Sequence, residues 1–266
     1  MASLSVIVIT KNEAHNIAAC LQSVLFADQL VVLDSGSLDG TLEIALAIGA
    51  EVSKNHDWQG FGVQKNRALG LARGDWVLSI DADERVTPAL RAEIMRALTA
   101  PAFEAYSIPR LSSYCGQDMR YSGWYPDRVT RLFKRNTAHF SSELVHEKIL
   151  TSGLVGQLTS PLLHESFTGF EAVLDKVNRY SSAGAQMLFA RGKTASPGKA
   201  FAHGVWAFIR TYILKRGFLD GRMGLVLAIS NAEGTYYRYL KLWLLCQQRK
   251  DENQLVAGNS SKVPPK

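Results

Sequence analysis

The chain has 266 residues, of which 47% are hydrophobic, and its formal net charge is +6 at pH 7. This length and this hydrophobic content can bury a full core, which argues against intrinsic disorder and predicts one large domain, alone or with an appendage. Cys20, Cys115 and Cys246 lie far apart and form no CxxC pair, so the sequence favours neither a zinc site nor a disulfide framework and fits a reducing cytoplasm.

The first hundred residues alternate short apolar runs with helical patterns, which is typical of βαβ units and a parallel sheet. Strands are predicted over Leu4–Ile9, Leu30–Leu33, Glu51–Ser53 and Trp76–Ile80. Helices are predicted near residues 14–25, 39–48, 60–73 and 87–98. Asp39 is expected to cap the second helix, and Thr87-Pro88 to begin the fourth. The apolar N-terminus lacks the basic region and cleavage site of a signal peptide and is interpreted as a buried strand.

The rest of the chain is less regular until it becomes helical. Tyr106, Ile108 and Val129–Phe133 predict further strands, and the pattern beyond Phe167 is helical. We therefore expect an α/β fold with a C-terminal helical extension. The predicted divisions are a catalytic domain over 1–165, a basic helical region over 166–250 and a flexible tail over 251–266.

Polar motifs follow three of the predicted strands. They are TKNE at Thr10, DSGSLDGT at Asp34 and DADE at Asp81. Ligands of open parallel sheets bind outside the carboxyl ends of the strands, so all three motifs are expected to line one crevice. No GxGxxG follows the first strand and no GxxxxGK[ST] occurs, which argues against a dinucleotide-binding or phosphate-loop enzyme.

Asp81 and Asp83 follow directly after the apolar run Trp76–Ile80. Two carboxylates separated by one residue can hold a hard divalent cation and leave coordination positions open for substrate phosphates. Paired acids of this kind are also common as surface or capping residues. Because these two acids follow the end of a buried strand, however, we expect them to face the crevice. The motif predicts a Mg²⁺ or Mn²⁺ site for a diphosphate.

The ordered motifs, with GFGVQKNRAL at Gly60 and GDWVLSIDADE at Gly74, resemble those of family 2 glycosyltransferases. With WYPDRVTRLFKR and LVHEKI, the chain is similar to the bacterial lipopolysaccharide core β-1,4-glucosyltransferase branch. The resemblance implies a GT-A fold, which is Rossmann-like with a mainly parallel sheet flanked by helices. It also implies an inverting hexosyltransferase that moves glucose from UDP-glucose to a heptose of the lipopolysaccharide inner core.

The resemblance further implies roles for individual residues. Asp34 would face the uracil ring, Asp81 the ribose, and Asp83 the metal, for which His164 is a further candidate ligand. Lys65 would lie near the base and ribose. The alternatives are a turn acid at Asp34, a solvated helix lysine at Lys65 and a structural histidine at His164. The full expected set of nucleotide-sugar-binding residues is Thr10, Asn12, Glu13, Asp34, Lys65, Asp81, Ala82 and Asp83.

An inverting transfer needs a base within hydrogen-bond reach of the acceptor hydroxyl. Glu147 in VHEKI is the first candidate, and His146 beside it could orient the acceptor. Asp127 in YPDR is the second candidate. The alternative to a catalytic role for Asp127 is an ion pair with Arg128 or Arg131.

Charge is unevenly distributed along the chain. Residues 1–100 carry 8 Lys and Arg against 12 Asp and Glu, whereas residues 198–250 carry 9 against 2. The aromatic and basic helical end favours a peripheral association with an anionic membrane. The resemblance, which implies a lipid-linked saccharide acceptor made at the cytoplasmic face, places this association on the inner face of the cytoplasmic membrane. No nucleic-acid partner is expected, and an ordinary helical subdomain is the alternative.

Two other function classes are alternatives to a glycosyltransferase. One is a non-catalytic nucleotide-binding or membrane-bound scaffold, against which the acids at Asp81, Asp83 and Glu147 argue. The other is a nucleotidyltransferase that makes activated sugars, but residues 10–20 lack the glycine-rich basic loop that holds a triphosphate. A glycosyltransferase that acts on another polysaccharide or lipid-linked acceptor also stays open.

Overall fold

The computed structural model describes residues 2–141, 147–167 and 169–260. The chain divides into two compact units, the first of Met1–Ser113 and Tyr125–Ser166 and the second of Tyr114–Trp124 and Phe167–Lys266. The strands are β1 (Leu4–Thr10), β2 (Gln29–Asp34), β3 (Glu51–Lys54), β4 (Trp76–Asp81), β5 (Glu84–Val86), β6 (Ala105–Tyr114), β7 (Gln117–Asp118), β8 (Asp127–Lys134), β9 (Ala138–Phe140), β10 (Ile149–Thr151), β11 (Val155–Gln157) and β12 (Leu162–His164). The α-helices are α1 (Ile17–Gln22), α2 (Thr41–Ala47), α3 (Phe61–Leu71), α4 (Pro88–Thr99), α5 (Phe170–Ala190), α6 (Pro197–Phe208) and α7 (Gly221–Ser260).

The sheet of the first unit runs in the order β3-β2-β1-β4-β8-β6-β12-β5, and β11 also pairs with β6. The neighbours β3, β2, β1 and β4 are parallel. β8 is antiparallel to β4 and β6, and β5 is antiparallel to β12. The α/β fold expected from the alternating pattern is confirmed, with a parallel half and a mixed half.

Both faces of the sheet are covered, as continuous apolar strands require. Val6 and Val8 of β1 point to one face, in a core that also contains residues of α1 and α4. Ile7 points to the other face, in a core with Ala68 of α3 and Phe140 of β9. Because side chains alternate along a strand, one apolar strand supplies both cores.

Hydrogen bonds at the N-termini of the helices hold the loops that connect strands to helices. Thr87 caps α4 as predicted, because its side chain accepts a hydrogen bond from the backbone N–H of Leu90 at 3.1 Å. The cap of α2 is Gly40, one residue later than expected. Asp39 instead accepts hydrogen bonds from the backbone N–H groups of Thr41 and Ala14, both at 3.1 Å. It therefore ties the start of α2 to the loop after β1.

The second unit is mainly helical and contains α5, α6 and α7. A π-helix (Ile209–Leu214) and a 3-10 helix (Gly217–Asp220) join α6 to α7. The buried carboxylate of Asp220 accepts hydrogen bonds from the backbone N–H groups of Arg120 and Tyr121, and so anchors the segment after β7. Among the described residues, no helix combines the length and the apolarity needed to cross a membrane. The domain boundaries at residues 165 and 250 remain predictions.

Two glycines near the end of α3 give a matched test of the packing. A Cβ at Gly74 would lie 2.7 Å from the backbone N of Ser5, whereas a Cβ at Gly70 would meet nothing within 4 Å. Gly74→Ala should lower the free energy of unfolding by about 1–3 kcal/mol through overpacking. Gly70→Ala should raise it by about 0.5–1 kcal/mol, because alanine favours the helix. Urea unfolding checks both values, and equal effects of the two substitutions would contradict the close approach of Gly74 to β1.

Candidate active site

The carboxyl ends of β1, β2 and β4 lie at one edge of the sheet. Thr10 is the register partner of Asp34, and Ile9 is the partner of Asp81. The motifs after β1, β2 and β4 are therefore neighbours, as the parallel topology predicted. Thr10 is buried, and its hydroxyl has no hydrogen-bond partner among the described residues. A buried hydroxyl of this kind is available to a bound molecule.

The loops after β1 and β2 hold each other by hydrogen bonds. The side chain of Asn12 accepts from the backbone N–H of Leu38 at 2.8 Å, and the Asn12 N–H donates to Ser37 Oγ at 2.8 Å. The N–H of Glu13 donates to Thr41 Oγ1 at 2.8 Å. Asn12 has a positive φ of 57°, a conformation that asparagine tolerates better than most residues. The two loops therefore form one surface.

Asp34 is fully buried at the end of β2. Its Oδ2 accepts hydrogen bonds from the backbone N–H groups of Gly36 at 2.8 Å and Ser37 at 2.9 Å. This is the local turn that aspartate side chains commonly form. Asp34 therefore shapes the loop that follows it, and its predicted contact with a base stays a prediction.

Lys65 is buried on α3, so the alternative of a solvated helix lysine does not apply. Its Nζ lies 2.8 Å from Oδ1 of Asp81 and 2.6 Å from Oε1 of Glu147. The ammonium therefore joins the exit of β4 to the first candidate base. A Cβ at Gly62 would lie 3.5 Å from the Cβ of Glu147, which shows how closely the start of α3 approaches this residue.

Arg131 completes the charge cluster from β8. Its guanidinium nitrogen Nη2 lies 2.5 Å from Oδ2 of Asp81 and 2.6 Å from Oε1 of Glu84, and only 7% of its side chain is exposed. The backbone N–H of Asp81 donates to Oε2 of Glu84 at 2.9 Å. Arg131 reaches this position from a β-bulge, because β6 pairs Tyr106 with Leu132 and then Ser107 with Thr130.

The cluster shifts the pKa values of its members. Burial acts to raise the pKa of the Asp81 carboxyl, but the charges of Arg131 and Lys65 outweigh burial and hold that pKa far below its usual range. Burial raises the pKa of Glu84, and the charge of Arg131 offsets only part of this effect. Burial acts to lower the pKa of Arg131, but the carboxylates of Asp81 and Glu84 raise it further above its usual range. Arg131 is therefore permanently charged.

Asp83 and His164 come together at the same edge. Asp83 Oδ2 lies 3.2 Å from His164 Nε2. The opposite nitrogen of the ring, Nδ1, is 2.9 Å from each of the hydroxyls of Ser112 and Ser166. These hydroxyls hold the ring with Nε2 towards Asp83, an orientation in which Nε2 could also bind a metal ion.

The carboxylate and imidazole of this pair fit a divalent cation of the Mg²⁺ or Mn²⁺ type. No group of three or more His, Cys, Asp or Glu residues arranged for a metal occurs in the part of the chain that the structure describes. A site with Asp83 and His164 would therefore leave positions for phosphate oxygens.

The remaining predicted residues are Asp127, Ala82 and His146. Asp127 forms an ion pair with Arg110, its register partner on β6, at 2.6 Å, and not with Arg128 or Arg131. Ala82 is buried between the two aspartates of the motif. His146 lies outside the described residues, so its predicted role remains a prediction.

Two members of the cluster, Arg131 and Glu84, were not predicted as site residues. A signal for Arg131 was present in the sequence, since it interrupts the apolar run Val129–Phe133 and a buried arginine needs an acidic partner. The acidic partner lies 50 residues earlier in the chain, so its identity depends on the pairing of β4 with β8.

Known proteins similar to this chain include bacterial glycosyltransferases. An uncharacterized glycosyltransferase of Rickettsia prowazekii is 32% identical over 273 residues, which cover 97% of this chain and 92% of that protein. The lipopolysaccharide core biosynthesis glycosyltransferase LpsC of Rhizobium meliloti is 29% identical over 251 residues, which cover 89% of this chain and 93% of that protein.

Solved structures also match part of the chain. Glucosyl-3-phosphoglycerate synthase of Mycobacterium tuberculosis, crystallised with Mn²⁺, UDP and glucosyl-3-phosphoglycerate, aligns at 29% identity with a TM-score of 0.35. This alignment covers 43% of this chain and 45% of that chain.

The family model for glycosyl transferase family 2 matches residues 5–155, a range that contains all but the first residue of β1, the whole of β2 and β4, and the charge cluster. The expected activity class is thereby confirmed. The chain is a glycosyltransferase and belongs to glycosyl transferase family 2.

Proposed function

We propose that this glycosyltransferase is inverting and transfers glucose from UDP-glucose to a hydroxyl of a heptose in the lipopolysaccharide inner core. The name of the LpsC relative and the resemblance noted from the motifs support this acceptor class. The observation that carries the proposal is the contact chain Asp81–Lys65–Glu147 beside the Asp83–His164 pair. It joins a donor-binding edge to a carboxylate that can act as a base.

The donor would bind across the exits of β1, β2 and β4. Thr10 offers its unpaired buried hydroxyl, and the joined loops offer a preformed wall for the nucleoside. Asp81 would accept hydrogen bonds from the ribose hydroxyls, since Arg131 and Lys65 keep its carboxylate ionised. Asp83 and His164 would hold the cation, which supplies positive charge to the diphosphate.

Glu147 would act as the general base. Its carboxylate would take the proton of the acceptor hydroxyl as the oxygen attacks the anomeric carbon, while the bond to the diphosphate breaks and UDP leaves. Lys65 holds Oε1 of Glu147, which fixes the carboxylate without taking up both of its oxygens. Asp127 is the second candidate, and its Oδ2 accepts two hydrogen bonds from Arg110.

A lipid-linked acceptor of this kind would be met at the cytoplasmic face of the cytoplasmic membrane. We therefore also propose that the protein is cytoplasmic and associates peripherally with anionic lipid. The range 198–250 contains 9 basic and 2 acidic residues, and this positive charge supports the proposal. Transfer to another polysaccharide or lipid-linked acceptor is the second candidate function, which the family assignment equally allows.

The donor and acceptor can be tested directly. Purified protein is incubated with UDP-glucose, other UDP-sugars and GDP-sugars, with a deacylated heptose-containing inner-core oligosaccharide, in Mg²⁺ or Mn²⁺. We expect UDP-glucose alone to give a product one hexose heavier by mass spectrometry. Transfer only from another donor, or only to another acceptor, would contradict the proposed substrates.

Asp83→Ala should abolish turnover and leave the fold intact, because the substitution removes one proposed metal ligand. Mn²⁺ binding in the presence of UDP, measured by titration calorimetry, should be lost with it. Asp75→Ala, at the opposite end of β4, is the matched control and should keep both properties. Full activity of Asp83→Ala, or of the unmodified protein in excess EDTA, would disprove the metal site.

Glu147→Gln should bind UDP as tightly as the unmodified protein yet lose roughly 10²–10⁴-fold in kcat, because an amide cannot accept the proton. Asp127→Asn is the parallel control and should lose far less. Steady-state kinetics with thermal unfolding of each variant separates chemistry from folding. If the loss followed Asp127→Asn alone, the two roles would have to be exchanged.

Arg131→Met should lower the free energy of unfolding by about 3–5 kcal/mol, since it leaves the carboxylates of Asp81 and Glu84 with too little compensating charge. Arg73→Met, the control, removes an exposed ion pair with Glu51 and should cost less than about 1 kcal/mol. Chemical denaturation followed by circular dichroism measures both. A similar cost for the two substitutions would show that the cluster does not depend on Arg131.

A further inference from the structure

The helical segment 197–219 of the second unit exposes an unusual number of large apolar side chains. Phe201, Val205, Ile209 and Ile213 are all exposed, and their spacing of four residues places them along one side of α6 and the π-helix that continues it. We call this group, together with its exposed neighbours, the apolar stripe. The exposed neighbours are Trp206 and Leu214.

The opposite side of the same segment is made of small residues and is the side that packs. Ala200, Gly204 and Thr211 are buried. A Cβ at Gly204 would lie 3.2 Å from the Cβ of Tyr236, so α6 approaches α7 closely at this glycine. In a helix of a water-soluble domain the large apolar side faces the core. Here that order is reversed, which leaves the apolar stripe uncovered.

The charges within the segment 197–219 have one sign. Residues 197–219 contain Lys199, Arg210, Lys215 and Arg216, all of them exposed, and no Asp or Glu. The first acidic residue that follows, Asp220, is buried and bonded to the segment after β7. Lysine is depleted in protein–protein interfaces, whereas apolar side chains flanked by lysine and arginine match the surface of an anionic bilayer.

We propose that the apolar stripe inserts into the interface of an anionic lipid bilayer while the four flanking basic side chains contact the headgroups. The partner is the lipid surface itself, and α6 lies parallel to it. This deepens the peripheral membrane association proposed above by naming the element and the mode of binding. Since insertion buries apolar area, the binding resists salt more than a purely electrostatic contact does.

The test is co-sedimentation of the full chain with phosphatidylglycerol-containing vesicles and with phosphatidylcholine vesicles, without donor or acceptor. We expect binding to the anionic vesicles that persists in part in high salt. Ile209→Gln with Ile213→Gln should weaken it by about tenfold or more. The matched control, Leu46→Gln with Leu71→Gln, replaces two exposed leucines outside the segment and should leave binding unchanged.

Quenching by brominated lipids gives a second readout. Vesicles with bromine in the acyl chains should quench the fluorescence of Trp206, and Trp206→Phe should remove most of the quenching. The Ile209/Ile213 variant should glycosylate a soluble, deacylated acceptor as well as the unmodified protein, so vesicle binding and catalysis fail separately.

Three outcomes would overturn the proposal. One is negligible binding of the unmodified chain to both kinds of vesicle. Another is equal loss of binding in the test and control variants. The third is a dimer in analytical ultracentrifugation that the Ile209/Ile213 variant converts to a monomer without any change in vesicle binding, since a second copy would then cover the apolar stripe.

Discussion

The carboxylate of Asp81 is held between two buried cations, and the candidate site depends on that constraint. Lys65 brings α3 to it, and Arg131 brings β8. Both cations also hold a second acid, Glu147 in one case and Glu84 in the other. The Lys65 pairs link α3 to the end of β4 and to Glu147, and the Arg131 pairs add side-chain bonds between β8 and β4, which are already neighbours in the sheet. Removal of one charge would leave the others uncompensated in a partly desolvated place.

Much of the parallel half of the sheet could be predicted from the sequence, because β1, β2 and β4 are short apolar runs, each with a polar motif at its end. The exits at Thr10, Asp34 and Asp81 follow from that pattern alone. Arg131 could not be placed in the same way, since its partner is defined by the order of the strands and by a bulge opposite Tyr106 and Ser107. Neither feature leaves a periodic trace in the sequence.

The helical unit shows a different limit. Its composition predicts helices rich in aromatic and basic residues, and these helices are present. Composition does not reveal which side of a helix is covered, however. Gly204 allows the small side of α6 to pack closely against α7, while Phe201 and Ile209 of the same segment are exposed. Helical periodicity would have predicted the larger apolar side as the buried one.

The hydrogen bonds between the loops after β1 and β2 have a consequence for the rate at which a nucleotide arrives. Asn12, Glu13 and Asp39 each bind the neighbouring loop or its helix, so that wall of the crevice has its final shape before anything binds. Little conformational entropy is then lost there on association, and encounter does not wait for those loops to order. We therefore expect any slow step that precedes chemistry to arise in another part of the molecule.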